Sequence, residues 1–150
     1  MKKIIITICV IVIAIICCMY LKISEYSKVK REIKGINNEF LAYKNSKITI
    51  GKVVSLMGKA IELNKRNNIK QDENELFYAN DTNSIKLYME VKSSDESQIV
   101  SIPMEKLILS DKAGPTKVTE AFSDVLFEYE EIKYHKKTGQ VSQIIFKEIN

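Results

Sequence analysis

The sequence predicts an α+β protein, with an N-terminal helix that continues as a stalk and then a small domain of helices on an antiparallel sheet that ends in a β-hairpin. Three observations carry this prediction. Residues 4–21 form one unbroken apolar run, and residues 26–43 repeat apolar side chains at helical spacing. Residues 125–149 alternate apolar and polar side chains around a turn that contains a glycine.

The first element is the apolar run from Ile4 to Leu21, 18 residues without a charged side chain. As an α-helix it spans about 27 Å, close to the hydrocarbon thickness of a bilayer. Its Ile, Val and Leu residues contribute about −3 to −7 kcal/mol to membrane insertion. A cleaved signal peptide is the alternative, but that class has a shorter apolar core and an A-x-A pattern before the cut, which this run lacks. We therefore expect an uncleaved transmembrane anchor whose partner is the lipid bilayer.

The charges beside the run bear on its direction across the membrane. A short basic start, Lys2 and Lys3, followed at once by an apolar core is the form of a signal anchor, which predicts a single-pass cell-membrane protein with an extracytoplasmic C-terminal domain. Simple counting argues for the reverse, since five basic residues follow the run: Lys22, Lys28, Lys30, Arg31 and Lys34.

The net charge of +4 comes from the membrane-proximal residues. From residue 35 onward the chain has 16 basic and 17 acidic side chains, so the domain is nearly neutral. Basic residues beside a membrane gain about 1 kcal/mol each from anionic lipid. The sequence lacks the clustered basic face of a nucleic-acid-binding protein, and we expect no nucleic-acid partner.

Cysteine occurs only inside the apolar run, at Cys9, Cys17 and Cys18. The domain therefore has no disulfide framework and no thiolate metal site. We interpret the three thiols as small apolar residues of a membrane helix, and acylation near a membrane face is the alternative.

The second element is an amphipathic stalk. Its apolar seam is spaced 3, 4, 3, 4, 3, which matches a heptad repeat: Tyr26, Val29, Ile33, Ile36, Phe40 and Tyr43. Fewer than three heptads make a weak coiled coil, so we favour packing of Ile36, Phe40 and Tyr43 onto the domain over dimerisation. The predicted boundaries are 1–21 for the anchor, 22–43 for the stalk and 44–150 for the domain.

The domain is expected to begin with a helix from the N-cap Thr49 to about Asn64, followed by a polar loop over 64–72. Two strand candidates, 76–79 and 85–91, are predicted to form a hairpin, and the second alternates apolar and polar side chains. The charged segment 92–98 is interpreted as a loop. Pro103 suits the first turn of a short helix, the segment 113–115 breaks it, and 118–125 forms another helical turn.

The final hairpin is the clearest pattern in the domain. Val125, Phe127 and Tyr129 alternate, and the alternation resumes at Ile132 after a one-residue slip that suggests a β-bulge. The turn 136–139 places Gly139 where a positive φ is needed. The returning strand carries Val141, Ile144, Phe146 and Ile149.

A resemblance rests on a loose set of residues: Phe40-x-x-Tyr43, Val53-x-x-Leu56, Asn64 and the stretch from Tyr134 to Val141. These residues resemble a group of uncharacterised small exported proteins of low-GC Gram-positive bacteria that are anchored by a single membrane helix. That group usually has a Gly soon after the Tyr, where this chain has Lys44-Asn45. The resemblance implies location and architecture over about 4–64 and 125–149, and it implies no catalytic residue.

Few residues suit catalysis or metal binding. His135 is the only histidine, and in a lysine-rich turn we expect it at the surface, which leaves no zinc site and no partnered nucleophile. Glu128, Glu130 and Glu131 could supply paired carboxylates for glycoside hydrolysis, with Glu128 and Glu130 about 7 Å apart on one strand face. Their alternation with Phe127 and Tyr129 favours a solvated strand face instead.

Three further patterns bear on ligand binding. The acidic stretch 72–75 lacks the Gly and the ligand spacing of a calcium loop. Only five glycines occur, and none form a phosphate-binding loop. Seven tyrosines without Trp could form a binding surface, but packing explains most of them. The sequence thus predicts no catalytic, cofactor or metal residue, no cofactor and no enzymatic activity.

Three functional hypotheses follow. The first is a non-enzymatic binding or assembly module held at the outer face of the cell membrane. The second is an accessory subunit of a membrane complex that uses Ile4 to Leu21 as its interface. The third is a cell-wall-directed hydrolase that uses carboxylates.

Overall fold

The computed structural model describes residues 2–92, 99–109 and 114–149. The chain divides into two compact units, Met1–Gly35 and Ile36–Asn150. Along these residues the elements are α1 (Lys2–Leu41), β1 (Ile48–Thr49), α2 (Ile50–Arg66), β2 (Lys86–Lys92), β3 (Ile99–Pro103), α3 (Met104–Ile108), α4 (Gly114–Ala121), β4 (Leu126–Tyr134) and β5 (Val141–Ile149). The predicted α+β class with a long N-terminal apolar helix is confirmed.

The first unit is helical and apolar over its early residues. Every side chain described from Cys9 to Leu21 is exposed. Within the described part of the chain, α1 is the one helix long and apolar enough to cross a membrane. No glycine or proline interrupts residues 4–21, and this part of α1 continues as one helix to Leu41, so its backbone groups pair along the helix.

The end of α1 belongs to the second unit. Ile36 and Phe40 are buried in its core, and Tyr43 is half-buried against it. The predicted packing of these three residues onto the domain is confirmed. The Tyr129 hydroxyl donates a hydrogen bond to the Phe40 carbonyl oxygen at 2.7 Å, which ties the end of this helix to β4.

The sheet is five-stranded over the described residues, in the order β1-β4-β5-β2-β3. Three of its four pairings there are antiparallel, as predicted. The fourth is parallel, with Leu87 opposite Ile144 and Met89 opposite Phe146. The last strand of the chain therefore lies between β4 and β2, and the terminal hairpin completes the sheet.

The predicted hairpin of residues 76–79 with 85–91 is wrong in its first strand. Both edges of β2 are already taken, one by β5 and the other by β3, so residues 76–79 have no free edge to join. The Phe77 amide donates to the buried carboxylate of Glu105, and one isolated bridge to Gln71 is the only strand-like contact described in this segment.

The strand β3 was not predicted, because Ile99 and Val100 follow a charged segment and precede a proline. Pro103 ends β3 at the edge of the sheet, where a missing amide leaves no ladder bond unmade, and α3 begins one residue later. The predicted short helix after Pro103 is confirmed, and α4 begins at Gly114 rather than 118. The loop predicted over 92–98 is wrong at Lys92, which is the last residue of β2; residues 93–98 and Ala113 lie outside the described residues.

The helix α2 supplies one face of the core. Its bounds agree with the prediction within two residues, and Thr49 is the N-cap residue, although its side chain caps no amide. The buried face repeats at the predicted positions: Val53, Leu56, Met57, Ala60, Ile61 and Asn64. This face packs with Phe127, Leu87 and Phe146 of the sheet in one cluster.

Two asparagines on helices hold the starts of two neighbouring strands. Asn64 of α2 donates to the Ile85 carbonyl oxygen and accepts from the Ile85 amide, both at 2.8 Å. Asn37 of α1 makes the same pair of bonds to the Gly139 carbonyl oxygen and the Val141 amide, both at 2.8 Å. A carboxamide suits this task because it offers one donor and one acceptor side by side.

Replacement of Asn64 by Ala is expected to destabilise the domain. Asn64 is fully buried, so its loss leaves the amide and the carbonyl of Ile85 unpaired, at about 1–3 kcal/mol each. We expect the free energy of unfolding, measured by chemical denaturation of the solubilised chain, to fall by about 2–4 kcal/mol. Asn38→Ala, at an exposed position of α1, is the matched control. An equal loss in both variants would contradict this role.

Candidate functional site

The outer edge of β4 is the starting point of the candidate site. Within the described sheet, β1 pairs with β4 only at Leu126 and Phe127. Residues 128–134 extend beyond β1 and have no strand on their outer side in that sheet. Their backbone groups on this side are therefore open to an added strand.

A groove of about 410 Å³ runs along this free edge. One wall is the turn that follows α1, where the Ser46 amide donates to the Tyr43 carbonyl oxygen at 3.0 Å. The other wall is β4 itself. The groove is lined by Lys44, Asn45, Tyr129, Glu130, Glu131, Ile132 and Tyr134.

The floor of the groove is rigid at Tyr129. The ring packs edge-to-face on Phe146, with 4.9 Å between centroids. Burial, with a smaller effect of Tyr43, raises the pKa of Tyr129 to about 12. The hydroxyl therefore stays protonated at physiological pH and keeps its bond to Phe40. Tyr134, by contrast, is 44% exposed at the rim and offers an aromatic face to a partner.

The carboxylates of the groove each have a lysine partner. Glu130 lies 3.5 Å from Lys147, and Glu131 lies 3.0 Å from Lys133. Exposed pairs of this kind are worth about 0–1 kcal/mol, so an incoming charged group can exchange with them. The groove thus combines aromatic side chains at its floor and rim, an open backbone edge and displaceable ion pairs.

The structure changes which glutamates share a face. The predicted β-bulge is confirmed by a register shift between Tyr129 and Glu131, and Glu130 is the extra residue. In the resulting register Glu128 lies opposite Lys147, and Glu131 lies opposite Ile145, two positions along the same face of β5. Glu131 therefore takes the place beside Glu128 that the alternation predicted for Glu130.

His135 is buried, so the prediction that it lies at the surface is wrong. Its Nε2 is 2.7 Å from the Ser84 carbonyl oxygen, and because a carbonyl can only accept, Nε2 donates. Its amide also donates to the Gln140 carbonyl oxygen, which closes the hairpin turn. Gly139 in that turn has φ +71°, as predicted.

The hairpin turn is tied to the loop before β2 at two more points. The Thr138 hydroxyl donates to the Thr82 carbonyl oxygen at 2.7 Å, and Gln140 donates to the Asn83 carbonyl oxygen at 3.2 Å. We call the side chains of Asn37, Asn64, His135 and Gln140 the polar clasp. Each of them binds backbone groups, so the hydrogen bonds described for the histidine are structural.

The acidic stretch 72–75 caps its own turn. The Asp72 Oδ1 atom accepts from the amides of Asn74 and Leu76, at 2.8 and 2.9 Å. Glu75 has φ +62°, which continues the turn. Among the described residues there is no group of three or more His, Cys, Asp or Glu side chains placed to hold a metal ion.

The tyrosines are less buried than packing alone predicts. Tyr43, Tyr88 and Tyr129 are half-buried, and Lys52 lies 5.3 Å above the Tyr43 ring. The other four are exposed: Tyr20, Tyr26, Tyr78 and Tyr134. Exposed aromatic side chains are typical of interfaces, so these positions are candidates for contact with partners.

The sequence did not reveal the buried ion pair of Glu105 with Lys86. Glu105 is 1% exposed, and its Oε2 accepts from Lys86 Nζ at 3.1 Å and from the Phe77 amide at 3.2 Å. Its Oε1 has no hydrogen-bond partner among the residues that the structure describes. A glutamate in the first turn of a short helix is usually exposed, so no pattern marks this one.

The comparisons with known proteins add no relative: no family model, no curated protein and no solved structure matches this chain. The candidate site therefore rests on the geometry of the groove alone.

Glu105 is expected to give the domain a distinctive pH dependence. Burial raises the pKa of Glu105 above its ordinary value, opposed in part by Lys86 and the Phe77 amide. A raised pKa in the folded state means that this group's stabilising contribution is fully present below the unfolded pKa and is lost as pH rises through the folded pKa.

The free energy of unfolding should therefore rise, relative to Glu105→Gln, as pH falls from 7 to about 4.5. Chemical denaturation of both chains across this range measures the difference. Glu120→Gln, at an exposed position, should follow the unsubstituted chain. A constant difference between the chain and Glu105→Gln would rule out a raised pKa.

Proposed function

We propose that this protein is a non-enzymatic binding or assembly module, held by residues 4–21 in the cell membrane with its domain at the outer face. The observation that carries the proposal is the division of the chain. One unit is a helix whose apolar side chains from Val10 to Leu21 are all exposed, and the other has its own core. Such a length of exposed apolar helix is favourable in a bilayer and unfavourable in water.

The groove along β4 is the proposed binding site. An extended segment of a partner protein would continue the line of β1 and pair with the free edge of residues 128–134, which is recognition by strand addition. Main-chain bonds would supply affinity there. Tyr134 and Ile132 would contact alternate side chains, and the exposed Glu131–Lys133 pair would select polar or charged neighbours.

The accessory-subunit hypothesis is kept because the large apolar side chains described from Val10 to Leu21 are exposed, so the helix could itself contact a partner. For the hydrolase hypothesis, two of the three predicted carboxylates are paired with lysines, and no observation favours it.

The binding site can be tested by site-specific photocrosslinking in intact cells. We expect a photoreactive phenylalanine analogue in place of Tyr134 to form a covalent adduct with a partner. The same analogue in place of Tyr78, which is 56% exposed but does not line this groove, should form none. Adducts at both positions, or at Tyr78 alone, would contradict the groove as the binding site.

The same photocrosslinking assay separates the binding-module hypothesis from the accessory-subunit hypothesis. If the Tyr134 adduct persists when residues 4–21 are replaced by an unrelated apolar helix, the segment is a tether. If the adduct is lost while the chain stays in the membrane fraction, the segment is part of the interface.

The proposed orientation of the chain in the membrane can be tested by protease accessibility. A protease added to intact cells should remove the domain, because residues 36–150 lie outside the membrane barrier in the proposed topology. Detection of the intact chain with an antibody to the domain provides the measurement, and a cytoplasmic protein of the same cells shows that the barrier held. Protection of the domain until the cells are lysed would reverse the topology.

A further inference from the structure

The heptad seam of α1 divides at Gly35. In the part that follows Gly35, Ile36 and Phe40 are buried in the domain core. In the N-terminal part, which precedes Gly35, Tyr26 is 69% exposed and Val29 is 52% exposed. We call the N-terminal part the exposed seam; it is made of the exposed Met19, Tyr26 and Val29 and the half-buried Ile33.

We propose that the exposed seam packs against the exposed seam of a second copy of this chain, as a parallel two-helix coiled coil. The proposal rests on the membrane location proposed above, because insertion in one direction makes two copies parallel. Confinement to one membrane also raises the effective concentration of each seam for the other. It does not depend on the groove along β4.

The spacing of the exposed seam is typical of a surface that packs against another helix. Alternating steps of three and four residues keep apolar side chains on a line of period 3.5, which is the line that faces a partner helix in a left-handed coiled coil. The line continues toward the N-terminus through Ile15 and Val12, both exposed. It therefore reaches about three heptads, which is longer than the stalk alone.

The apolar end of the line offers room for a second helix. A shallow groove along this face of α1 is lined by Ile11, Ala14, Ile15, Cys18, Met19 and Lys22. Cys18 lies beside the line, next to Ile15 and Met19, and a small side chain at such a position lets two helices approach closely in a membrane.

Charge complementarity identifies a second copy as the occupant. With Tyr26 and Val29 at the core positions a and d, Glu25 takes position g and Lys30 takes position e of the heptads. In a parallel pair each g residue meets the e residue five places later on its partner. Glu25 of one copy thus meets Lys30 of the other, twice by symmetry, and both side chains are exposed.

Lys22 is the one charged residue on the line between Val12 and Ile33. It lies just after the apolar run, where its long side chain can carry the ammonium group to the lipid headgroups. A polar residue at a core position also fixes the register of a coiled coil.

Disulfide crosslinking of the full chain in vesicles tests the proposal. Single cysteines are introduced by Tyr26→Cys, Lys28→Cys, Val29→Cys and Arg31→Cys, in a chain whose Cys9, Cys17 and Cys18 are Ala. The vesicles contain neutral and anionic phospholipid at low protein density. We expect oxidation to give covalent dimers at positions 26 and 29 and at least five-fold less at positions 28 and 31.

Equal crosslinking at all four positions would show random collision, and no crosslinking at 26 and 29 would show that the seam has no second copy. Either result overturns the proposal. Flotation of the vesicles separates this failure from that of the membrane location: a chain that floats but does not crosslink lacks the dimer, and a chain that does not float lacks the anchor.

Charge reversal gives an independent test of the pairing. Glu25→Lys places lysine opposite lysine twice, and we expect dimerisation to weaken by about five-fold, since exposed pairs of this kind each contribute about a two-fold effect. Addition of Lys30→Glu to the same chain should restore it. Failure of the double substitution to restore dimerisation would overturn the parallel register.

Discussion

The polar clasp is the constraint on which the domain depends. At one end of the sheet the starts of β2 and β5 meet the turn between β4 and β5, and the hydrogen bonds to the backbone groups of Ser84 and Ile85 are buried there. An unpaired amide or carbonyl there costs about 1–3 kcal/mol. Asn64, His135 and Gln140 pair these groups from α2 and the hairpin, and Asn37 does so from α1. One set of hydrogen bonds therefore joins two helices to the centre of the sheet.

The clasp also accounts for a topology in which the chain's last strand is central. A parallel neighbour for β2 requires a long connection, here through β3, α3, α4 and β4, before β5 returns beside it. The hairpin must then be placed correctly against β2. The bonds of His135 to Ser84 and of Thr138 to Thr82 set that position. Several residues of the loose motif in the sequence, Asn64 among them, thus act in assembly of the fold.

The free part of β4 carries a bulge, three glutamates and Lys133, features that discourage uncontrolled strand pairing. The same features shape a groove with an aromatic wall, because the turn after α1 stands opposite them. Selective binding and resistance to aggregation are compatible there, since displaceable ion pairs admit a matching segment and disfavour others.

The sequence by itself determined the elements whose signal is local. The apolar run, the seam of α1, the buried face of α2, the bulge and the positive φ of Gly139 follow from periodicity and turn chemistry within about 20 residues. The candidate site was visible only in part: Glu131 and Tyr134 could be placed on a strand, but not beside Lys44.

Only the tertiary structure decided which edges pair and which polar groups are buried. Residues 76–79 have the apolar composition of a strand, yet both edges of β2 are occupied by β5 and β3. Ile99 joins the sheet from a segment with no strand signal. His135 and Glu105 are buried beside partners, Ser84 and Lys86, that lie 51 and 19 residues away in the sequence. Competition for edges and partners across such distances is a property of the whole fold, and local residue patterns do not record it.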